Sequence, residues 1–461
     1  MIKFLNVLLF LFPLTIFAQE QWYKTSPQDY SWMLVGNTSI SSGAAVYTSL
    51  AFSPSGEPYV AFQDYGNSLK ATVMKFDGNT WNNIGLDGCS AGTAEWTSLA
   101  FSPLGEPYVA FCDCVNSFGP TVMKFDGTNW VLVGPPGFAE GPIWFVSLAF
   151  HPSGQPYIAY SGMAWEGKGV VMKFDGTDWI NVGDSGFAFG ETHYTSLAFS
   201  PSGQPFVAFQ DYENTAKATV KKFDGSAWVN VGMAGFSPGP ADYTNIAFSQ
   251  SGEPYVAFQN KGNSMKATVM RFDGTTWLNV GMPFFTPGDA SDLSLAFSPS
   301  NEPHVAFCDQ ANNYNSSVMK FNGSVWEYIG SPGFSEGGNA HYLSLAFNTS
   351  GKPYVAYVNF DVAHKAKVMK YDSVHVGMNE PKQPRLSIYP NPASTTLTID
   401  LNNMTSKRNL VEISDIRGMK MLEIQTLQNK FTVNVNNYPV GIYFIKMNTD
   451  NSLYYGKFCK N

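Results

Sequence analysis

The chain has 461 residues, a net charge of −8, and only 14% charged residues against 15% aromatic residues. This balance argues against a disordered protein, and the lack of a Lys/Arg cluster argues against binding to nucleic acid. The 42 glycines and 28 prolines favour a fold of many short strands joined by turns.

The first 18 residues have the pattern of a secretory signal peptide. Lys3 provides a positive start, residues 4–17 are almost wholly apolar, and Ala18 precedes a polar segment. The apolar run is too short to span a bilayer, and no second long apolar run follows it. We therefore predict an exported chain with no transmembrane segment in its mature form, in which residues 19–31 lead into the first domain.

A repeat dominates the chain from there to residue 377. Each copy has a tryptophan that opens the pentad Trp-x-x-(Val/Ile)-Gly, and these tryptophans recur every 49 residues, at Trp32, Trp81, Trp130, Trp179, Trp228, Trp277 and Trp326. Each copy contains four strand-like runs and no stretch with a helical period. Gly or Asn after the first run, and Asp-Gly or Asn-Gly after the third, are typical of hairpin turns. Each copy therefore predicts a four-stranded antiparallel meander.

The phase of the repeat predicts how the chain closes. A lone fourth strand, at residues 32–36, precedes the first complete copy, and the last copy lacks its tryptophan. The seven first strands are matched by seven tryptophan strands only if the N-terminal strand completes the last copy. This arrangement closes a ring, whereas an open solenoid would need polar caps. The sequence therefore predicts an all-β fold in which residues 32–377 form a seven-bladed β-propeller, with four-stranded blades and the N-terminal strand closing the last blade.

After a linker at residues 378–384 the repeat is absent, and residues 385–461 have the alternating short strands of a small Ig-like β-sandwich. This segment begins with Tyr-Pro-Asn-Pro, contains Gly-Ile-Tyr, and ends in a short basic strand. It resembles the type A C-terminal sorting domain of the type IX secretion system of Bacteroidota. The residues that carry the resemblance are Tyr389, Pro390, Asn391, Pro392, Gly441, Tyr443 and Lys457.

The resemblance implies a route of export. The N-terminal signal would take the chain across the inner membrane, and the tail would engage the type IX secretion machinery to cross the outer membrane. The protein is then expected to be secreted or held on the outer cell surface of a Gram-negative bacterium. The propeller repeats resemble those of uncharacterised secreted proteins, which implies nothing about activity.

The two ends of each blade differ in their connections. The first-to-second and third-to-fourth turns are short, whereas the second-to-third loops and the connections between blades are longer and more variable. Variable loops on a rigid scaffold are where binding sites usually lie, so we expect function on this long-loop face.

Two aromatic series occur on that face. The first stands three residues before each Leu-Ala-Phe motif, at Tyr47, Trp96, Phe145, Tyr194, Tyr243 and Tyr342, with Asp292 as the exception. The second lies deeper in the connections between blades, at Phe138, Phe187, Phe236, Phe285 and Phe334, with Cys89 in place of Phe. The favoured interpretation is that both series wedge between blades. The alternative is a stacking surface for sugar or peptide.

Two polar series also recur. An Asp-x-x-Asn pattern that ends the second strand, such as Asp64 with Asn67, is explained by Asx turns, with a cation-binding ring as the alternative. A basic residue in every third strand, such as Lys75, is explained by a solvated or snorkelling position, with an anion-binding belt as the alternative, which neighbouring glycines do not support.

Residues that depart from the repeat are the stronger candidates for function, because the scaffold does not require them. They cluster in blades two to four, in loop positions, and include aromatic residues beside carboxylates, which suit carbohydrate or protein recognition. Drift of weakly constrained loops is the alternative explanation. Together with two members of the first aromatic series, the candidate ligand-binding residues are Trp96, Trp144, Trp165, Glu166, His193, Tyr194, Tyr212 and Glu213.

The five cysteines indicate neither a disulfide framework nor a zinc module, and we predict no metal and no cofactor. An odd number in an exported chain leaves at least one thiol unpaired. Cys112 and Cys114 are candidates to bond Cys89 across the loop face, but their distance along the chain does not decide this.

No catalytic motif is present, and we assign no catalytic residues. The sequence therefore predicts a monomeric secreted or surface protein that binds extracellular carbohydrate or protein through its long-loop face. A glycan-active hydrolase or lyase using acids on that face is the first alternative. A structural or adhesive surface component is the second.

Overall fold

The computed structural model describes residues 30–36, 39–184, 186–188, 190–361, 363–373, 386–400, 409–428, 430–449 and 453–461. The predicted signal peptide at residues 1–18 and the predicted linker at residues 378–384 lie outside these residues. Contacts between residues divide the chain into two compact units, residues 1–374 and residues 375–461. Within the described residues, no helix is long and apolar enough to cross a membrane.

The described part of the first unit is a β-propeller of seven four-stranded antiparallel sheets, as the repeat predicts. The inner strands are Ala45–Phe52, Ala94–Phe101, Ile143–Phe150, Thr192–Phe199, Ala241–Phe248, Ala290–Phe297 and Ala340–Phe347. The second strands are Pro58–Asp64, Pro107–Asp113, Pro156–Gly162, Pro205–Asp211, Pro254–Asn260, Pro303–Asp309 and Pro353–Asn359. We number the blades one to seven in this order.

The third strands are Lys70–Phe76, Gly119–Phe125, Lys168–Phe174, Lys217–Phe223, Lys266–Phe272, Asn315–Phe321 and Lys365–Ser373. The outer strands of blades one to six are Trp81–Asn83, Trp130–Leu132, Trp179–Asn181, Trp228–Asn230, Trp277–Asn279 and Trp326–Tyr328. Short 3-10 turns follow four of the second strands, at Tyr65–Asn67, Met163–Trp165, Tyr212–Asn214 and Gln310–Asn312.

The N-terminal strand Tyr30–Leu34 closes the ring, as the phase of the repeat predicts. It pairs antiparallel with the third strand of blade seven, with Trp32 opposite Tyr371. Blade seven is therefore built from both ends of the propeller sequence, and its sheet holds these two ends together.

The tryptophans of the pentad join neighbouring blades. In each case the indole Nε1 donates to the carbonyl oxygen of the Val or Ile in the preceding blade's pentad, over 2.6–2.8 Å. Trp179, for example, donates to Val133, and Trp32 donates to Ile329 across the closure. The bond repeats around the whole ring, and it explains why tryptophan recurs at a surface strand that is only three residues long in blades one to six.

The glycine that ends the pentad is explained by the same contact. Gly134 has φ of +78°, and a Cβ on it would lie 2.9 Å from Cδ1 of Trp179. A side chain there would strain the backbone and push the indole away from its acceptor. The pentad is therefore a lock in which one blade supplies the indole and the preceding blade supplies the carbonyl and the clearance.

A second set of bonds joins the inner strands. The backbone N–H of the residue that opens each Leu-Ala-Phe motif donates to a side-chain oxygen of the preceding blade. Leu99 donates to Ser49 Oγ at 3.0 Å, and Leu50 donates to Ser344 Oγ at 2.9 Å across the closure. The remaining bonds of this belt run from Leu148, Leu197, Ile246, Leu295 and Leu345 to Ser98, Ser147, Ser196, Asn245 and Ser294.

The recurring polar residues have structural partners. Buried Asp309 accepts from the backbone N–H of Ala311 at 3.1 Å, and Asp64 accepts from that of Gly66 at 2.9 Å, which is the Asx turn predicted for the Asp-x-x-Asn pattern. Asp309 also accepts from Asn312 Nδ2 and from Ser317 Oγ, both at 2.8 Å. The basic residues of the third strands are partly exposed, and several form ion pairs at the surface. Lys75 lies 2.7 Å from Glu57 of the Gly-Glu-Pro turn, because the register places strand three beside that turn.

The second unit is a small β-sandwich in its described residues. One sheet contains Ser387–Tyr389, Thr396–Asp400 and Lys430–Asn434. The other contains Lys420–Thr426, Asn409–Asp415, Gly441–Thr449 and Leu453–Lys460. The two sheets share one apolar core, in which Leu397, Ile413 and Phe458 are fully buried.

We predict that Trp179→Phe lowers the free energy of unfolding by about 1–3 kcal/mol, because it leaves the buried carbonyl of Val133 without its donor while an aromatic ring is retained. Urea denaturation followed by circular dichroism measures the change. Leu104→Ala is the control, since that side chain is 89% exposed and its loss should cost less than about 0.5 kcal/mol. Equal stability of the Trp179→Phe variant and the wild type would contradict the lock.

Candidate functional site

The inner strands surround a central cavity of about 550 Å³ that is lined by residues of all seven blades. Each inner strand has a β-bulge near its start, where two residues, such as Tyr47 and Thr48, have no partner in the register of the second strand. The first residue of each bulge has φ between +50° and +58°, an unusual conformation for residues with a side chain. These residues are Tyr47, Trp96, Phe145, Tyr194, Tyr243, Asp292 and Tyr342.

We call these seven residues the collar. Successive collar aromatics contact one another around the axis, with ring centroids 4.7–5.0 Å apart. The collar rings contact rings of neighbouring blades, and Trp96, Tyr243 and Tyr342 pack against core clusters, as wedging between blades predicts; the same rings also line the channel. The series at Phe138 wedges between blades as well: Phe138 stacks on Trp179 of the next blade at 4.6 Å, and Phe236 on Trp277 at 4.1 Å.

Threonines hold the collar in place. Thr244 Oγ1 donates to the carbonyl oxygen of Tyr194 in the preceding blade at 2.6 Å. Thr48, Thr97 and Thr195 make the same bond to the preceding collar residue. Burial raises the pKa values of Tyr47, Tyr194 and Tyr243, so these phenols stay protonated and remain available as hydrogen-bond donors.

Asp292 interrupts the aromatic part of the collar and pairs with a histidine. Its Oδ1 accepts from the backbone N–H of Tyr342 at 2.8 Å, and its Oδ2 lies 3.1 Å from Nδ1 of His341. The other ring nitrogen of His341 lies 3.0 Å from Oδ1 of Asn339. The hydrogen bond from Asp292 raises the pKa of His341 above its ordinary value, which favours an imidazolium at the channel mouth.

The residue before each collar position varies from blade to blade, although the strand around it is nearly identical in every copy. We call these seven the mouth residues, because they lie on the inner strands one position closer to the long-loop face than the collar does. They are Val46, Glu95, Trp144, His193, Asp242, Ser291 and His341. The inner strands thus carry apolar, acidic, basic and aromatic side chains at this one level.

Several sequence-predicted residues come together in blades three and four. The ring of His193 lies 5.1 Å from that of Phe145 and 4.9 Å from that of Tyr212, and Nε2 of His193 lies 2.7 Å from Oε1 of Glu191. Trp96 and Tyr194 are collar residues. The structure therefore places five of the eight candidates at or beside the channel mouth: Trp96, Trp144, His193, Tyr194 and Tyr212.

Trp144 and the other candidates lie as follows. Trp144 was predicted to be in a loop, which was wrong, because the inner strand Ile143–Phe150 already includes it and pairs it with Ser161. Glu166 ends the 3-10 turn Met163–Trp165 and forms an exposed ion pair with Lys168 at 3.3 Å. Glu213 is exposed in the turn Tyr212–Asn214.

Sequence reasoning missed the mouth residues as a set. Glu95, Asp242, Ser291 and His341 were not singled out, although aligning the copies one position before the collar would have found them. Asp242 binds both Lys261 Nζ, at 2.7 Å, and Gln210 Nε2, at 2.6 Å.

The suggested pairing of Cys89 with Cys112 or Cys114 is not present, since all five cysteines of the described residues are free. Cys89 donates instead to the carbonyl of Ala71 at 3.1 Å, in the position that Phe occupies in other blades. Cys112 and Cys114 lie beside Glu95, and the ligand atoms of these three residues are within 4.8 Å of one another. The expectation of no metal therefore overlooked a cluster of metal-ligand side chains.

The sequence-predicted residues of the tail are ordered within the sandwich. Asn391 joins the first strand to the last: its Oδ1 accepts from the backbone of Cys459 at 2.9 Å and its Nδ2 donates to the carbonyl of Lys457 at 3.3 Å. The hydroxyl of Tyr443 donates to the carbonyl of Pro439 at 2.8 Å, and its ring stacks on Phe458.

Comparison with known families identifies this tail. Residues 387–461 match the family described as the secretion system C-terminal sorting domain. The tail is thus a type IX sorting domain, and the protein is secreted or displayed at the cell surface. No curated protein matches the chain.

The chain is also similar to several solved structures. One is a protein of unknown function from Dyadobacter fermentans, with 14% identity, a TM-score of 0.45, and coverage of 74% of this chain and 98% of that one. The extracellular domain of a putative hybrid two-component system from B. thetaiotaomicron has 10% identity, a TM-score of 0.48, and coverage of 94% of this chain and 58% of that one. An ulvan lyase of polysaccharide lyase family 25 has 11% identity, a TM-score of 0.47, and coverage of 73% and 95%.

We predict that the pKa of His341 exceeds its ordinary value of 6.5 and falls when Asp292 is replaced by Asn. Because the folded-state pKa is raised, the pair's contribution to stability is complete below about pH 6.5 and is lost as the pH rises through the folded-state pKa. An NMR titration of the histidine ring protons measures this. His304, whose pKa burial lowers to about 4, is the internal control. An unchanged His341 pKa in Asp292→Asn would contradict the pairing.

Proposed function

We propose that the propeller binds a neutral extracellular glycan at the mouth of its central channel. The observation that carries the proposal is the combination of partly exposed collar rings with mouth residues that differ from blade to blade. The rings offer flat apolar faces for the C–H surfaces of sugars, and the mouth residues offer acceptors and donors for hydroxyl groups.

The chemistry is concentrated in blades two to five. Trp144 directly precedes the collar residue Phe145 in the inner strand of blade three, and the ring of His193 contacts those of Phe145 and Tyr212. Glu191 orients His193 from the other side of its ring. A sugar lying over Phe145 would thus meet aromatic faces and a histidine within one short span, which is the composition of a binding hot spot.

The charge near the mouth favours a neutral ligand over a sulfated or uronate-rich one. Lys261 is engaged by Asp242, and His341 by Asp292, so the nearby cations are already paired. The mouth and the loops beside it carry the carboxylates of Glu95, Glu191, Glu213, Asp242 and Asp292. An anionic polysaccharide would be repelled by the unpaired carboxylates among them.

A glycan-active enzyme is the second candidate, and the Asp292–His341 pair favours it. A histidine held by a carboxylate beside the phenols of Tyr243 and Tyr342 can serve as an acid–base centre at the bottom of a sugar-binding mouth. Shortened products released from a polysaccharide by the wild type, and abolished by Asp292→Asn, would establish this function in place of simple binding.

We predict that Trp144→Ala weakens binding to a retained neutral glycan roughly 30-fold, equivalent to about 2 kcal/mol, because it removes an aromatic mouth residue. A glycan array followed by calorimetry measures this, and Trp165→Ala tests how far the site extends along blade three. Tyr314→Ala is the matched control, an exposed tyrosine on the same face but outside the collar and mouth residues. Equal affinity of Trp144→Ala and wild type, or preferential retention of sulfated glycans, would contradict the proposal.

We further predict that deletion of residues 385–461 leaves the propeller in the periplasm of a type IX-competent host, because the matched sorting domain is lost. Immunoblots of periplasmic, surface and medium fractions measure the distribution. Asn391→Ala is a milder variant, since it removes the side chain that ties the first strand of the tail to its last. Normal appearance of the truncated protein at the surface or in the medium would overturn this route.

A further inference from the structure

Three departures from the repeat converge at one place in blade two. Glu95 is a mouth residue, and the antiparallel register places it directly opposite Cys112 on the second strand. Cys114 follows two residues later, on the same side of the extended chain. No other blade has three metal-ligand side chains at these positions. The corresponding sets in blades one and three to seven are Val46/Gln63/Tyr65, Trp144/Ser161/Met163, His193/Gln210/Tyr212, Asp242/Gln259/Lys261, Ser291/Cys308/Gln310 and His341/Val358/Phe360.

The geometry suits a single ion. One carboxylate oxygen and two sulfur atoms lie within 4.8 Å of one another. Ligand atoms of one tetrahedral zinc ion, with Zn–S bonds of about 2.3 Å, are separated by roughly 3.5–3.8 Å. Small side-chain rotations therefore bring the three atoms into one coordination sphere without any movement of the strands.

The burial pattern suits a site that is open on one side. Cys112 is buried with 1% exposure, whereas Glu95 and Cys114 are partly exposed. Three protein ligands with solvent access leave a fourth position for water or a ligand, which distinguishes such a site from a closed structural zinc site. Because Glu95 is a mouth residue, the open position lies beside the channel mouth.

We propose that Glu95, Cys112 and Cys114 bind one zinc ion at the channel mouth. Two sulfur ligands select a soft or borderline ion and disfavour calcium and magnesium, which take oxygen ligands. Two thiolates and a carboxylate also supply more negative charge than a zinc ion carries, so the bound site keeps a net charge of −1. This inference does not depend on glycan binding.

The competing fate of these residues is a disulfide between Cys112 and Cys114, since the protein is exported to an oxidising environment. The two fates exclude each other, because sulfurs joined to one another no longer serve as thiolate ligands. A disulfide in the secreted protein that is not accompanied by metal binding in the reduced protein would overturn the zinc site.

Cobalt titration of the full chain under anaerobic reducing conditions tests the proposal. A Co²⁺–thiolate charge-transfer band in the near ultraviolet should appear and saturate at one equivalent, and Zn²⁺ should abolish it by displacement. Elemental analysis after dialysis against Zn²⁺ should give one zinc per chain. Absence of the band, or of bound zinc, would overturn the site.

Variants identify the ligands. Cys114→Ser should weaken zinc binding by more than about 100-fold, and Glu95→Gln by about tenfold. Both positions are partly exposed, so these variants test the site even if Cys112→Ser does not fold. Cys308→Ser is the matched control, because Cys308 holds the position of Cys112 in blade six, is equally buried, and lies opposite Ser291. Zinc affinity unchanged in Cys114→Ser, or lost equally in Cys308→Ser, would contradict the assignment.

Discussion

The hydrogen bond from an indole to a backbone carbonyl of the preceding blade is the contact on which the rest of this propeller depends. Blades of a propeller share no sheet hydrogen bonds, so something else must fix each blade against the next. Here the pentad fixes neighbouring blades at the periphery of the ring, where the indole of Trp81 donates to the carbonyl oxygen of Val35. Gly36 leaves room for this indole, because a Cβ on Gly36 would lie only 3.0 Å from it. Near the axis, the hydrogen bonds from inner-strand N–H groups to Ser or Asn side chains of the preceding blade join the blades in the same way.

Because these two sets of hydrogen bonds join neighbouring blades, the residues between them and the long-loop face are less constrained by the contacts between blades. The collar is still constrained, since threonines bind its carbonyls and its rings contact one another. The mouth residues one position further out follow no repeat, and they range from Val46 to Asp242 and His341 within otherwise repeated strands. Under the proposed function, one residue along a single strand separates the repeated scaffold from the residues that recognise the ligand.

Much of the fold could be predicted from the sequence because its signals are local. The tryptophan period, the turn glycines and the unmatched strand at Trp32 give the blade count and the closure. The site was less predictable, because it depends on backbone events that composition does not reveal. The bulge that turns Tyr47 to the channel requires a positive φ in a non-glycine residue, and the proximity of Glu95 to Cys112 follows only from the register. Trp144 was misplaced because its strand begins earlier than the Leu-Ala-Phe motif suggests.

The central claim is that ligand recognition lies at the mouth of the channel and not on the turn face or between blades. A crystal structure of the protein soaked with a neutral oligosaccharide retained on the array tests it most directly. We expect sugar density over the collar, in contact with Phe145, Trp144 or His193. Density confined to the short-turn face, or to the outer strands beside the tryptophans, would contradict it.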